Sequence, residues 1–141
     1  MALLFHPKAG LIVVCNYETG FVKPEMVKTR TAVVITPRLR RRDGLCTVVP
    51  LSTTEPGNVE DYHYKLELDR ELPKPWEGKV KWAKCDMFAT VSFARLSPIK
   101  LGRGPDGQRK YLNTPIPDND LLGIRRGVLH ALSLGNLTDH L

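Results

Sequence analysis

Three side chains carry the types that chemistry needs: the carboxylate of Glu25, the guanidinium of Arg30 and the hydroxyl of Ser52. Glu25-Met26-Val27-Lys28-Thr29-Arg30 runs into the strand-like Thr31-Ala32-Val33-Val34-Ile35, and Ser52, Thr53 and Thr54 follow the apolar Val48-Val49-Pro50-Leu51. Such a set beside two buried strands has the charge and hydrogen-bonding character to hold a phosphodiester. It contains no thiolate nucleophile. His6, His63, His130 and His140 are scattered, with no H-E-x-x-H or comparable spacing, so neither a metal nor a cofactor is expected.

RNA is the first substrate this chemistry suggests, because its own 2′-hydroxyl can attack the adjacent phosphorus. The protein must then activate that hydroxyl, neutralise the crowded phosphorane and protonate the leaving oxygen. Arg30 suits the second task, since its planar fork donates two parallel hydrogen bonds to phosphoryl oxygens. A pKa above about 12 leaves it almost no neutral base at pH 7, which makes Glu25 or a water the easier proton acceptor. Each residue alone also fits a plainer role. Glu25 and Arg30 could form an exposed ion pair, and the hydroxyls of Ser52, Thr53 and Thr54 could close a turn on their own backbone.

Two further features fit a nucleic-acid partner. Arg38-Leu39-Arg40-Arg41-Arg42 places four cations between two expected strands, where they would grip RNA phosphates, or meet an acidic protein segment, with strong dependence on salt. Among the aromatic residues, Phe21 is the candidate for stacking on an unpaired base, because it precedes Lys23 and Glu25 in the same loop. Trp76, Trp82, Tyr17, Tyr62 and Tyr64 are expected mainly in the core.

The frame that must position these groups is legible in outline. The chain has 141 residues, 42% apolar and 26% charged, as an ordinary single domain spanning 1–141 would, and its net charge of +6 favours an acidic partner. Cys15, Cys46 and Cys85 form no C-x-x-C pair and lie among apolar neighbours. They point to a reducing cytoplasm rather than a disulfide framework. Met1 to Phe5 is apolar but broken by His6-Pro7-Lys8, without a basic leader, and no stretch is long enough to span a bilayer.

Short apolar runs predict strands at Leu11–Cys15, Ala32–Ile35 and Cys46–Leu51. Alternation predicts a half-solvated strand over Tyr62–Leu68 and a mid-sheet strand over Cys85–Phe93. Pro73 to Gly78 reads as a loop, and Ile99–Arg103 with Arg109–Leu112 as a hairpin around Gly104-Pro105-Asp106-Gly107. Leu121, Ile124, Val128 and Leu132 recur at helical spacing, with Asp118 or Asn119 as the expected cap and Gly135 at the exit. Gly123 and Gly127 weaken that helix by about 1 kcal/mol each relative to alanine and permit close backbone approach. The expected architecture is mainly β, a small bent sheet or barrel closed by one helix.

Lys28-Thr29-Arg30-Thr31-Ala32-Val33-Val34-Ile35 resembles the K-x-R-P-A-V-V-I signature of the MazF/PemK toxins, and Val49-Pro50-Leu51-Ser52-Thr53 is similar to their V-P-L-[ST]-[ST] motif. Asp86-Met87 and Arg95-Leu96 resemble the later D-Q-V and R-L segment, so the likeness runs from Lys8 to Leu134. The resemblance implies a cytoplasmic, metal-independent endoribonuclease on an SH3-like barrel. It further implies a homodimer cutting single-stranded RNA, with a cognate antitoxin protein covering the RNA groove. By the same resemblance Arg30 is catalytic, Ser52 is its partner and Glu25 contributes, while Lys28, Thr29, Thr53 and Thr54 join Phe21, Arg38, Arg40 and Arg41 in holding RNA. Thr31 departs from the usual proline, which frees the backbone after Arg30, and Ser52 replaces the commoner threonine, which frees χ1. Two alternatives stand beside this reading: a binding module on the same barrel that has lost catalysis, and a gyrase poison of the related CcdB type.

Overall fold

The apolar runs become the inner strands of one antiparallel sheet in the computed structural model, which describes residues 2–141. The strands are β1 (Ile12–Cys15), β2 (Arg30–Val34), β3 (Leu45–Ser52), β4 (His63–Glu67), β5 (Val80–Lys84), β6 (Ala89–Ser92) and β7 (Leu96–Pro98). They lie in the order β4-β5-β3-β2-β1-β7, with β6 also paired to β3. A separate hairpin, β8 (Lys100–Arg103) with β9 (Arg109–Tyr111), turns through the expected glycines. The central strand β3 serves three neighbours: Leu45–Val48 pairs with β6, Val48–Pro50 with β2, and Leu51–Ser52 with β5. Because β4 and β7 stand at the two ends of the strand order, the barrel is open. The fold is mainly β with a helix near the C-terminal end, as expected.

Period-two alternation sends successive residues to two cores. Ile12, Val33, Val49, Leu51, Leu66 and Ala83 pack on the helix side, whereas Val13, Cys15, Ala32, Val34, Cys46 and Val48 pack on the other. Tyr62, Tyr64, Leu66 and Leu68 share the helix-side core, so the alternation of that strand is as anticipated.

The span Cys85–Phe93 differs from expectation. Cys85–Met87 is a 3-10 turn, only Ala89–Ser92 is extended, and that piece pairs with β3 alone. The turn switches faces: Cys85 and Phe88 pack in the helix-side core, while Met87, Val91 and Phe93 pack in the other. Alternation cannot see this, since a short turn preserves the spacing of apolar residues while redirecting them.

The helix, α1 (Asp118–Ala131), buries Leu121, Ile124 and Gly127. Neither Asp118 nor Asn119 caps it. The cap position is Pro117, which makes no side-chain cap bond, and Asp118 and Asp120 instead place negative charge in the first turn. Tyr64 Oη donates to Asp120 Oδ1 at 2.6 Å, tying that turn to β4. Gly135 is not the exit residue either. Ser133 takes the left-handed position with φ +60°, Leu134 N donates to Leu129 O and Ser133 N to His130 O, and Leu132 is left 50% exposed.

Gly127 explains a glycine inside a helix: a β-carbon there would stand 2.6 Å from Cys85 Sγ and 3.5 Å from Tyr62 O. Gly127→Ala is therefore expected to destabilise the fold by about 1–3 kcal/mol despite alanine's helix preference, lowering Tm by roughly 3–10 °C. Thermal unfolding followed by circular dichroism checks this, and a rise in Tm would contradict the packing described.

Candidate active site

Antiparallel pairing explains how residues far apart in sequence meet. The β2–β3 register pairs Ala32 with Pro50, Val33 with Val49 and Val34 with Val48. Continued toward the start of β2, that register sets Arg30 opposite Ser52 at the end of the hairpin away from its loop. Arg30 also pairs with Cys15 of β1. Thr31, where a proline was the usual residue, is 4% exposed and pairs with Val14. The ladder constrains the backbone after Arg30 in the way a proline ring otherwise would.

Arg30 lines a groove of about 260 Å3 together with Lys28, Thr29, Thr53, Trp76 and Lys81. Its Nε is buried and has no hydrogen-bond partner. Leaving such a donor unpaired costs about 1–3 kcal/mol, more for a charged group, which an anionic acceptor offsets. Tyr17, within electrostatic reach of Arg30, is fully buried, its hydroxyl also unpaired. Burial drives the Tyr17 pKa far up, the Arg30 charge opposing only in part, so the phenol stays neutral and is no base at ordinary pH.

The other expected site residues fall into four places. Lys28, Thr29 and Thr53 line the groove. Thr29 Oγ1 donates to Glu18 Oε2 at 2.5 Å, which anchors the approach to β2. Ser52 is 4% exposed, and its Oγ accepts from Thr54 N at 3.1 Å, the self-satisfying turn that its sequence allowed. That bond uses a lone pair of Ser52 and leaves its hydroxyl proton free to donate.

Glu25 and Phe21 lie on the β1–β2 loop. The Glu25 Oε1 atom accepts from Val22 N at 3.2 Å, and among the described residues Glu25 forms no ion pair with Arg30. The Phe21 ring meets Tyr17 edge-on at 5.2 Å and carries the Arg95 guanidinium 4.7 Å over its face. Arg95 Nη1 also donates to Asn16 O at 3.0 Å, so Arg95 pins this loop, a role its sequence position does not reveal.

The arginine run sits elsewhere. Arg38, Arg40 and Arg41 are exposed in the loop between β2 and β3, at the opposite end of the hairpin from Arg30 and Ser52. Over β2 alone that is about 13 Å of strand. Only a ligand of several nucleotides reaches both.

The groove walls that sequence reasoning missed are Trp76, assigned to the core, and Lys81, on a strand that alternation did not pick out. Cysteine chemistry is absent from the site: burial pushes the Cys15 and Cys46 thiols up to about 11 and Cys85 up to about 12, which keeps them protonated. A larger cavity, about 420 Å3, lies at the far end of β1 by Ile12, lined by Leu68, Leu72, Leu112 and Ile116 with Glu67 and Asp69. Its apolar wall and carboxylates suit a phosphodiester poorly.

Comparison with known proteins places the fold and the family. The chain is 29% identical to the YifN protein of Escherichia coli (strain K12) over 94% of its own length and 96% of that protein's. Among solved structures it is similar to an endoribonuclease from Mycobacterial species in complex with its cognate antitoxin, with TM-score 0.60, 15% identity and coverage of 92% of this chain and 97% of that one. It is equally similar in fold to MazF from Deinococcus radiodurans, with TM-score 0.60, 19% identity and coverage of 90% and 96%. Residues 8–117, which hold β1 to β9 with Arg30, Ser52 and the groove residues, match a family directly. The chain belongs to the PemK-like, MazF-like toxins of type II toxin-antitoxin systems.

Proposed function

We propose that this toxin is a sequence-specific endoribonuclease that cuts single-stranded RNA without a metal. The observation that carries the reading is Arg30: a guanidinium with a buried, unpaired Nε, at the edge of a groove and opposite a strand-end hydroxyl. In the reaction the 2′-oxygen bonds to phosphorus and the bond to the 5′-oxygen breaks, giving a 2′,3′-cyclic phosphate and a 5′-hydroxyl. Charge builds on the non-bridging oxygens as the phosphorane forms, and the Arg30 fork meets it there. The Ser52 hydroxyl donates to one of the same oxygens. The proton of the 2′-hydroxyl passes to water or to Glu25, and the leaving 5′-oxygen takes one up.

Lys28, Thr29, Thr53 and Thr54 hold the flanking phosphates. Arg38, Arg40 and Arg41 engage the strand farther along, and Phe21 stacks a base once Arg95 yields its face. A cognate antitoxin, such as the mycobacterial endoribonuclease is bound to, covers the groove, and the toxin acts as a cytoplasmic homodimer. Among the described residues no helix is long and apolar enough to cross a membrane.

One observation favours a second reading, a binding module without catalysis: Glu25 is held by Val22 N and not by Arg30. Sequencing RNA ends after brief incubation of the purified protein with a mixed RNA pool in EDTA separates the two. Cuts recurring at one short motif are expected. RNA that is bound but left whole would make the chain a binding module, and intact RNA beside gyrase-dependent DNA breaks would make it a gyrase poison.

A further inference from the structure

Lys81 is only 2% exposed, and a charge so buried must be compensated by partners. It lies on β5 opposite Leu66 of β4. The β3–β5 register, Leu51 with Ala83 and Ser52 with Trp82, continued by one residue sets Lys81 beside Thr53. Its ammonium donates to Trp76 O at 2.8 Å and Glu77 O at 3.1 Å. An ammonium has three N–H donors, so these carbonyls leave one. No carboxylate reaches it at ion-pair distance; among the described residues the pairs are Lys65 with Glu67 and His130 with Asp61.

The third donor has no protein acceptor among the described residues, and Lys81 borders a ligand space. Lys81 lines the same groove as Arg30 and Thr53. Gly78, with φ +107°, passes close by: a β-carbon there would stand 3.7 Å from Thr53 Cγ2 and 4.0 Å from Lys81 Nζ. A side chain at Gly78 would be strained by that backbone conformation, though it would meet both neighbours at ordinary contact distance. Three cations, Lys28, Arg30 and Lys81, thus border one small groove with Glu77 as its carboxylate, and a polyanion offsets the cost of burying Lys81.

We propose that Lys81 is a second phosphate-binding residue of the groove. Two of its ammonium protons latch the Trp76–Glu77 wall, and the third is donated to a non-bridging oxygen of a bound RNA phosphate next to the one held by Arg30. This assignment rests on the nuclease reading above. Burial lowers the Lys81 pKa, with Glu77 and Glu71 opposing, and a phosphate in contact opposes the burial further.

The test has two arms. In wild-type protein, nitrogen–proton spectra of the lysine ammonium groups are followed while a single-stranded RNA oligonucleotide with 2′-O-methyl sugars is added. A saturable shift of the Lys81 signal is expected, and a signal unmoved at saturation overturns the proposal without any variant having to fold. In the second arm, binding of the same oligonucleotide is measured against salt for wild type, Lys81→Met and Arg30→Ala. Loss of one phosphate contact lowers the slope of log affinity against log salt by about 0.7. Lys81→Met with altered tryptophan emission but an unchanged slope would reduce Lys81 to a structural latch. A defective Arg30→Ala beside an unaffected Lys81→Met removes the Lys81 assignment alone, whereas a wild type that neither binds nor cuts RNA removes the nuclease reading and this assignment with it.

Discussion

Arg30→Ala is expected to lower RNA cleavage by about 10²- to 10³-fold, equivalent to about 3–4 kcal/mol of transition-state stabilisation. The effect should fall on kcat more than on KM, because the fork's second hydrogen bond strengthens only as charge builds on the phosphoryl oxygens. Arg30→Lys should recover little of the loss, since a point charge on a flexible stem cannot donate two parallel bonds in a fixed plane. Folding should survive: Arg30 opens β2 at its edge, and the buried residues beside it, Ala32, Val33 and Val34, hold the strand without it. Induced expression gives the cellular counterpart, with growth arrest by the wild type and relief in Arg30→Ala. Equal cleavage by the two proteins, with matched circular dichroism, would remove Arg30 from the chemistry.

The inner strands were readable because burial on both faces writes a continuous apolar run. Val13, Val33, Val34, Val48 and Val49 are all fully buried, and β1, β2 and β3 lie where those runs predict them. The strand β5 was not readable. Its residues Val80-Lys81-Trp82-Ala83-Lys84 mix lysines with apolar groups, and the most informative of them, Lys81, is buried by carbonyl partners that the sequence does not reveal. Residue types suggested the helix caps at Asp118 and Gly135, but the chain ends that helix with Pro117 and with a serine in a glycine-like conformation. Local preference is a weak guide where tertiary contacts such as the Tyr64–Asp120 bond already hold the first turn.

The site divides in the same way. Arg30 and Ser52 could be singled out by chemistry, but their placement at one end of the β2–β3 hairpin depends on register, which no spacing rule supplies. The arginine run shows the opposite case: its charge is plain from the sequence, and its position at the far end of the hairpin is not. Phe21 is occupied by Arg95, a contact between residues in different elements. Thr31 departs from the family pattern, yet its pairing with Val14 holds the backbone that a proline would have held.

A single 2′-deoxy sugar offers the most direct check that the RNA supplies its own nucleophile and that Arg30 serves the phosphorane. Removing that hydroxyl takes away the attacking atom and leaves the phosphates that Arg30, Lys28 and Lys81 would grip. Binding should therefore be nearly unchanged while cleavage at that linkage falls to background, and no alternative base or metal can restore it. The comparison uses two otherwise identical single-stranded oligonucleotides, one all-ribose and one deoxy at the mapped cut site, with product ends analysed by mass. The account predicts a 2′,3′-cyclic phosphate from the first and no product from the second, whereas cleavage of the second at a similar rate would contradict it.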